Sequence, residues 1–169
     1  GSVGRGLSGA SGATLVRAAA GGPILDDDGF AGPACGAPVY NAATEAAVFL
    51  YYDCADPRQW RVRFTAGGVS GSYRGTLSSD APFESLAGVS QEATDVLNPA
   101  PFATPTAGPI SYVQNVGGNG FDGFEFRLAA GARACFNLTA PAGRPVWIGS
   151  DRVAASVPVD PTTLQVCTP

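Results

Sequence analysis

Carboxylates, hydroxyls and thiols are the side chains of this sequence that could carry out catalysis. The 169-residue chain contains no histidine, and all ten of its basic residues are arginine. Without histidine there is no Ser-His-Asp triad, no Cys-His pair and no histidine-ligated zinc. Without lysine there is no Schiff base and no P-loop ammonium group. This composition points away from an enzyme and toward a binding or structural role.

The thiols belong to four cysteines: Cys35, Cys54, Cys135 and Cys167. None forms a C-x-x-C pair, so the spacing argues against a zinc ribbon and a thioredoxin-like site. An even number of widely spaced cysteines in a Gly- and Pro-rich, β-like chain predicts two disulfides and an oxidising compartment. Of the three possible pairings we favour Cys35–Cys54 and Cys135–Cys167, which join neighbours in sequence. The alternative is four reduced thiols in a cytosolic protein.

Two oxygen-rich groups are candidates for metal binding. The first is a run of three carboxylates that could ligate calcium: Asp26, Asp27 and Asp28. The alternative, which we favour, is a solvated acidic linker. The second group is Asn119, Asp122 and Glu125, which lacks the order of ligands found in an EF-hand. An Asp-Gly turn leading into a strand explains this second group better.

Aromatic rings and paired carboxylates suggest chemistry on sugars. The candidate stacking platforms are Tyr51, Tyr52, Tyr73, Tyr112 and Trp147, of which the consecutive Tyr51 and Tyr52 must face opposite sides of a strand. For each ring, packing in a β-sandwich core is the competing interpretation. A glycosidase also needs two carboxylates at a defined separation. The spacing selects no pair from the available residues Asp53, Asp56, Glu84, Glu92, Asp95 and Glu125.

Composition also limits the partners. The net charge is −4 and the few arginines form no basic stripe, so nucleic acid is not an expected partner. No apolar run approaches the length of a membrane span. The length fits one domain with a proper core and an additional segment.

Hydrophobic residues recur at every second position, as in β-strands. The clearest case places Trp60, Val62 and Phe64 on one face, with Arg61 and Arg63 on a solvated face. Similar patterns predict strands at Ala47–Asp53, Ser70–Thr76, Ile110–Val116, Phe124–Leu128, Ala134–Leu138, Pro145–Gly149 and Thr163–Cys167, with weaker ones at Phe83–Val89 and Arg152–Val157. The segment Asn98–Pro109 holds four prolines, which predicts a loop or an edge crossing.

These elements predict an all-β fold. We expect an antiparallel β-sandwich of jelly-roll or immunoglobulin-like type, cross-linked by two disulfides and preceded by an extended N-terminal β tail. The tail is residues 1–34, a Gly- and Ala-rich segment with a strand or hairpin that ends in the acidic run. The sandwich domain is residues 35–169.

Part of the tail carries a resemblance to a known family. Residues 7–15 (LSGASGATL) and 21–29 (GGPILDDDG) resemble the closing strands of a Calx-β domain, with proline where threonine is usual. The resemblance implies a preceding Calx-β sandwich and an acidic run able to bind calcium. Residues 35–169 are similar to modules of secreted bacterial proteins, in a pattern that runs from Cys35 through Trp60 and Phe124 to Cys167.

The tail suggests how the protein acts. Its β-forming residues Thr14, Leu15, Val16, Ile24 and Leu25 make only a marginal hairpin alone, so we expect them to dock on their own sandwich or on a neighbour's open edge. Docking on a neighbour would build a polymer. We therefore predict a secreted or cell-surface, non-enzymatic structural or adhesive subunit that assembles by strand addition. Its partners would be other copies or a preceding β-sandwich domain. The alternative is a carbohydrate-binding module of a secreted hydrolase, with polysaccharide as the partner.

Overall fold

The computed structural model describes residues 35–139, 144–149, 151–154 and 164–168. Within these ranges the regular structure consists of eleven β-strands, without a helix. The strands are β1 (Val48–Asp53), β2 (Asp56–Thr65), β3 (Gly71–Ser79), β4 (Phe83–Val89), β5 (Val96–Asn98), β6 (Ile110–Val116), β7 (Phe121–Leu128), β8 (Ala134–Thr139), β9 (Val146–Ile148), β10 (Asp151–Ala154) and β11 (Leu164–Cys167). In this part of the chain no helix is long and apolar enough to cross a membrane.

The strands form two sheets. The first sheet has the order β10-β9-β1-β2-β7-β4, and the second has the order β11-β8-β3-β6-β5. The pairings between these strands are antiparallel, except that β1 and β9 are parallel. The chain passes from one sheet to the other after β2, β3, β4, β6, β7, β8 and β10. This arrangement confirms the predicted all-β sandwich.

The alternation of side chains places one face of each sheet in a common core. Trp60, Val62 and Phe64 of β2 are buried there, as the sequence pattern predicts. Strand β6 alternates along its whole length between buried and partly exposed residues. Because a strand turns successive side chains to opposite faces, this pattern is typical of a sheet with one face in the core.

Phe64 joins the two sheets. Its ring centroid lies 5.0 Å from that of Tyr73, 5.6 Å from that of Tyr112 and 6.4 Å from that of Phe136, which all belong to the second sheet. Within its own sheet it lies 6.2 Å from Phe124. Pairs of aromatic rings at these separations add to the free energy gained from burying their area. The centre of the sandwich is therefore an aromatic cluster around Phe64.

Two disulfides cross-link the described chain, with the pairing that the sequence favours: Cys35–Cys54 and Cys135–Cys167. The first ties the start of the described chain to the end of β1, where Cys35 also forms a bridge with Tyr52. The second joins residues that are direct partners of β8 and β11. Disulfides of this kind are typical of proteins from an oxidising environment.

Some features differ from the sequence-based expectation. Strand β5 was not expected, since its three residues are too few to show a period. The proline-rich segment after it is an edge crossing: Phe102 and Thr106 exchange backbone hydrogen bonds with Leu86 and Phe83 of the edge strand β4. The N-terminal tail lies outside the described residues, so its predicted strand or hairpin and the boundary at residue 34 stay predictions.

The packing around Phe64 gives a test of the core. Replacing Phe64 with alanine should lower the free energy of unfolding by about 3–5 kcal/mol, because a cavity is left between the sheets. Phe121 is only half-buried on the outer face of β7, so the same substitution there should cost about 1–2 kcal/mol. Urea denaturation of the two variants measures this difference. Equal losses would contradict the joining role of Phe64.

Candidate functional site

Strand β1 is covered on both faces. Val48 and Leu50 point into the core, whereas Ala47, Phe49 and Tyr51 lie on the opposite, outer face of the first sheet. These three outer residues are nevertheless only 2–5% exposed. The cover comes from aromatic rings. The ring centroid of Phe49 lies 4.3 Å from that of Tyr40 and 6.5 Å from that of Trp147 of β9.

An open pocket adjoins these rings. Its volume is about 460 Å³, within the range of small-molecule and peptide-anchor sites. Most of its lining is apolar, and Trp147 itself is half-buried. At the rim, the side chain of Val39 is fully exposed. We call this site the aromatic pocket, lined by Pro38, Val39, Glu45, Ala46, Ala47, Phe49, Pro145 and Trp147.

One wall of the aromatic pocket is the loop of residues 41–47. The buried Thr65 hydroxyl fixes this loop: it donates to the Glu45 carbonyl and accepts the Ala47 N–H at 3.0 Å. Gly67 packs against this loop and donates its N–H to the Ala42 carbonyl at 3.2 Å. Glycine is required at this position, because its φ is +63° and a Cβ atom there would lie 2.7 Å from the Ala46 nitrogen. The position of this wall is therefore fixed by Thr65, at the end of β2, and by Gly67 just after it.

Beside the aromatic pocket the outer face becomes charged. Arg63 of β2 is 7% exposed and donates to the carbonyls of Val62 and Phe124 and, at 2.5 Å, to the Glu125 carboxylate. The predicted solvated position of Arg63 is therefore wrong, because neighbouring outer residues bury its stem and Glu125 neutralises its charge. Burial, and then Tyr51, raise the pKa of Tyr40, and Arg63 acts in the opposite direction.

The remaining carboxylates of this face are held by arginine. Arg61 contacts Asp53 at 3.2 Å and Glu125 at 3.3 Å. Farther along the sheet, Arg127 binds Asp56, and it also contacts Glu84 at 2.8 Å. Burial acts to raise the pKa of Asp56, but the bonds with Arg127 and Arg58 outweigh it and lower that pKa. These candidate glycosidase carboxylates therefore serve as partners of arginine in the structure.

The five candidate sugar-stacking rings have different environments. Tyr73 and Tyr112 are core residues, and their hydroxyls donate to the carbonyls of Thr65 at 2.6 Å and Asn137 at 2.8 Å. Burial raises the pKa of Tyr73 to about 12 and raises that of Tyr112 as well. Tyr51 is buried in the outer cluster. Only Tyr52 and Trp147 of the five keep partly exposed rings, and only Trp147 lines the aromatic pocket.

The second oxygen-rich group does not come together. Asp122 shares the core-facing side of β7 with Phe124, whereas Glu125 faces outward to Arg61 and Arg63. Asp122 instead lines a crevice of about 310 Å³ with Glu92, at one end of the sandwich. Burial, and then the charges of Asp95 and Glu92, raise the pKa of Asp122 to about 6. Among the described residues there is no group of three or more His, Cys, Asp or Glu placed to hold a metal ion.

Other predicted site residues lie outside the described ranges. They are the strand-donation residues Thr14, Leu15, Val16, Ile24 and Leu25 and the candidate calcium ligands Asp26, Asp27 and Asp28.

Sequence reasoning missed the aromatic pocket, although one signal for it is present. The run from Ala46 to Tyr52 is apolar at every position, which indicates a strand that is covered on both faces. No sequence spacing connects β1 with the residues that supply the cover. These are Pro38 and Tyr40 before the strand and Pro145 far after it.

Comparison of the chain with protein-family models, with curated proteins and with solved structures finds no significant match.

The Thr65 hydroxyl gives a test of the pocket wall. Replacing Thr65 with valine keeps the shape but removes a partner from the Ala47 N–H and the Glu45 carbonyl. The free energy of unfolding should fall by about 1–3 kcal/mol, and the Ala47 amide should exchange faster with solvent. Serine keeps the hydroxyl and is the matched control. Urea denaturation and amide hydrogen exchange report the two effects, and equal behaviour of valine and serine would count against this role of the hydroxyl.

The buried carboxyl of Asp122 predicts a pH dependence. Because its folded pKa of about 6 exceeds the ordinary value of 3.8, the folded state binds the proton more tightly than the unfolded chain. Its stabilising contribution is complete below the ordinary pKa and is lost as the pH rises through about 6. Near neutral pH, Asp122→Asn should therefore be more stable than the natural chain, by up to about 3 kcal/mol. The measurement is made with a chelator present, so that no bound cation affects the comparison. Near pH 4 the two should be similar, and urea denaturation at both pH values checks this; a gain that is the same at both would contradict it.

Proposed function

We propose that this chain is a non-catalytic, extracellular structural or adhesive subunit in which the apolar tail of one copy docks into the aromatic pocket of another. The observation that carries this proposal is the pocket itself: an apolar site next to half-buried Trp147, with Val39 fully exposed at its rim. Exposed apolar patches beside open pockets mark binding sites for other chains. The two disulfides support a place outside the cytosol.

The tail is the favoured occupant because of its sequence and its attachment point. It offers Leu15, Val16, Ile24 and Leu25 as apolar anchors. It enters the described chain at Cys35, close before the pocket residue Pro38. The segment from Leu25 to Pro38 can extend over about 45 Å, enough to reach a neighbouring molecule. The resemblance of residues 7–29 to Calx-β strands supports the tail as a β-forming donor.

The sheet edges favour the pocket over a long added strand as the docking point. In the described part of the chain, the edge strands β5, β10 and β11 have only three, four and four residues. The longer edge strand β4 already accepts hydrogen bonds from Phe102 and Thr106. Short or covered edges offer few unpaired backbone groups for strand addition. Side-chain anchors in the aromatic pocket would therefore supply most of the binding free energy, with backbone pairing as an addition.

Polysaccharide binding is the second candidate function, and the partly exposed ring of Trp147 is the observation that favours it. A sugar site also needs polar groups that bind hydroxyls. The charged group in the pocket lining is Glu45, whose carboxylate already accepts the Asn41 N–H at 2.8 Å. The pocket lining is thus better suited to an apolar peptide.

A complementation experiment tests the proposal. One variant carries Ile24→Asp and Leu25→Asp, which disable the tail but keep the pocket. A second carries Val39→Ser and Trp147→Ala, which disable the pocket but keep the tail. Light scattering after gel filtration should show an assembling natural chain, two monomeric variants, and a capped one-to-one dimer when the variants are mixed.

The matched control is Val96→Ser, since Val96 is an exposed valine on β5, away from the aromatic pocket, and should leave assembly intact. Circular dichroism establishes that each variant is folded. A natural chain that is monomeric at all concentrations, or variants that assemble unaided, would refute docking between copies. A glycan that changes Trp147 fluorescence in the tail-disabled variant would favour the second candidate instead.

A further inference from the structure

The crevice around Asp122 is independent of the aromatic pocket. It lies at the end of the sandwich where β6 turns into β7 and where the chain leaves β4. It is lined by Ser90, Glu92, Val116, Gly117, Gly120, Phe121 and Asp122. The charged side chains among these residues are the carboxylates of Glu92 and Asp122.

Asp122 is an unpaired carboxylate in this crevice. Its residue is 4% exposed, and its Oδ2 atom is buried without a hydrogen-bond partner. Burial of a charged group without a partner costs several kcal/mol, so buried carboxylates normally have an arginine, a set of N–H donors or a metal ion beside them. The arginine on the neighbouring strand, Arg63, projects to the other face of the sheet and binds Glu125. The charged groups that act on Asp122 are the carboxylates of Asp95 and Glu92.

The loop that carries Glu92 is held in a defined position. The side-chain amide of Gln91 enters the end of the sandwich and donates to the Gly123 carbonyl at 2.8 Å and to Gln114 at 2.7 Å. Asp95 closes the loop, because its carboxylate accepts the N–H groups of Glu92 and Asn115, each at 2.8 Å. The backbone of Glu92 is thus held beside the crevice, where its carboxylate is the second one after that of Asp122.

We propose that this crevice is a calcium site, with the carboxylates of Asp122 and Glu92 as the charged ligands. Water and backbone oxygens of the glycine-rich turn between β6 and β7 would complete the coordination. Calcium fits because it takes about six to eight oxygen ligands in a flexible geometry, whereas magnesium requires a near-ideal octahedron. The crevice residues supply no nitrogen or sulfur side-chain ligand, so zinc and copper fit poorly. The ion would neutralise Asp122 and hold the ends of the two sheets together.

Calorimetric titration of the chelator-treated full-length chain with calcium chloride tests the site. We expect one calcium ion bound at this site, with an affinity in the range of extracellular modules, about 0.1–1 mM or tighter. Asp122→Asn and Glu92→Gln should each weaken binding by about tenfold or more. Calcium should also raise the melting temperature of the natural chain, and magnesium should do so much less. Because Glu92 is exposed, its substitution leaves the fold intact and tests the site independently of Asp122.

The acidic run of the tail needs its own control. A variant with Asp26→Asn, Asp27→Asn and Asp28→Asn should keep the calcium binding that Asp122 and Glu92 provide. Binding that disappears in this tail variant and survives in Asp122→Asn and Glu92→Gln would overturn the proposal, because the ion would then belong to the tail. Absence of binding and of any melting shift up to about 10 mM calcium would also overturn it.

Discussion

The structure depends on aromatic packing between its two sheets, and Phe64 is the centre of that packing. Its ring meets Tyr73, Tyr112 and Phe136 of the opposite sheet. This contact fixes β2, and the end of β2 then fixes the outer face of the same sheet. Thr65, the next residue, is buried and holds the loop that forms one wall of the aromatic pocket. The core and the surface site are therefore connected through two consecutive residues.

The outer face of the first sheet is divided into two regions with different physical character. Around β2, β7 and β4, arginines and carboxylates neutralise one another in pairs. Around β1 and β9, aromatic rings cover one another and leave an apolar pocket. Partly exposed ion pairs contribute little to binding, whereas a desolvated aromatic site can anchor a partner. The Cys35–Cys54 disulfide fixes the start of the described chain at the end of β1.

Much of the fold could be predicted from the sequence, because a period of two is a direct consequence of strand geometry. The strands around Trp60 and Tyr112 are predicted in this way and are confirmed. The disulfide pairing, predicted because it joins cysteines that are neighbours in sequence, is confirmed as well. The period shows which residues share a face, but not what covers that face. Arg63 was therefore expected in solvent, although it is buried. The crevice of Asp122 escaped prediction for a related reason, since Glu92 reaches it from a loop thirty residues earlier in the chain.

In the proposed assembly, the tail of one molecule occupies the aromatic pocket of another. The most direct measurement places a photo-cross-linking amino acid at position 25 of an isotopically heavy copy, mixed with an equal amount of light copy. After irradiation, mass spectrometry identifies the peptides that are joined. We expect links from the heavy tail to light peptides that contain Val39 or Trp147. Links confined to heavy peptides, or links to other surfaces, would contradict it.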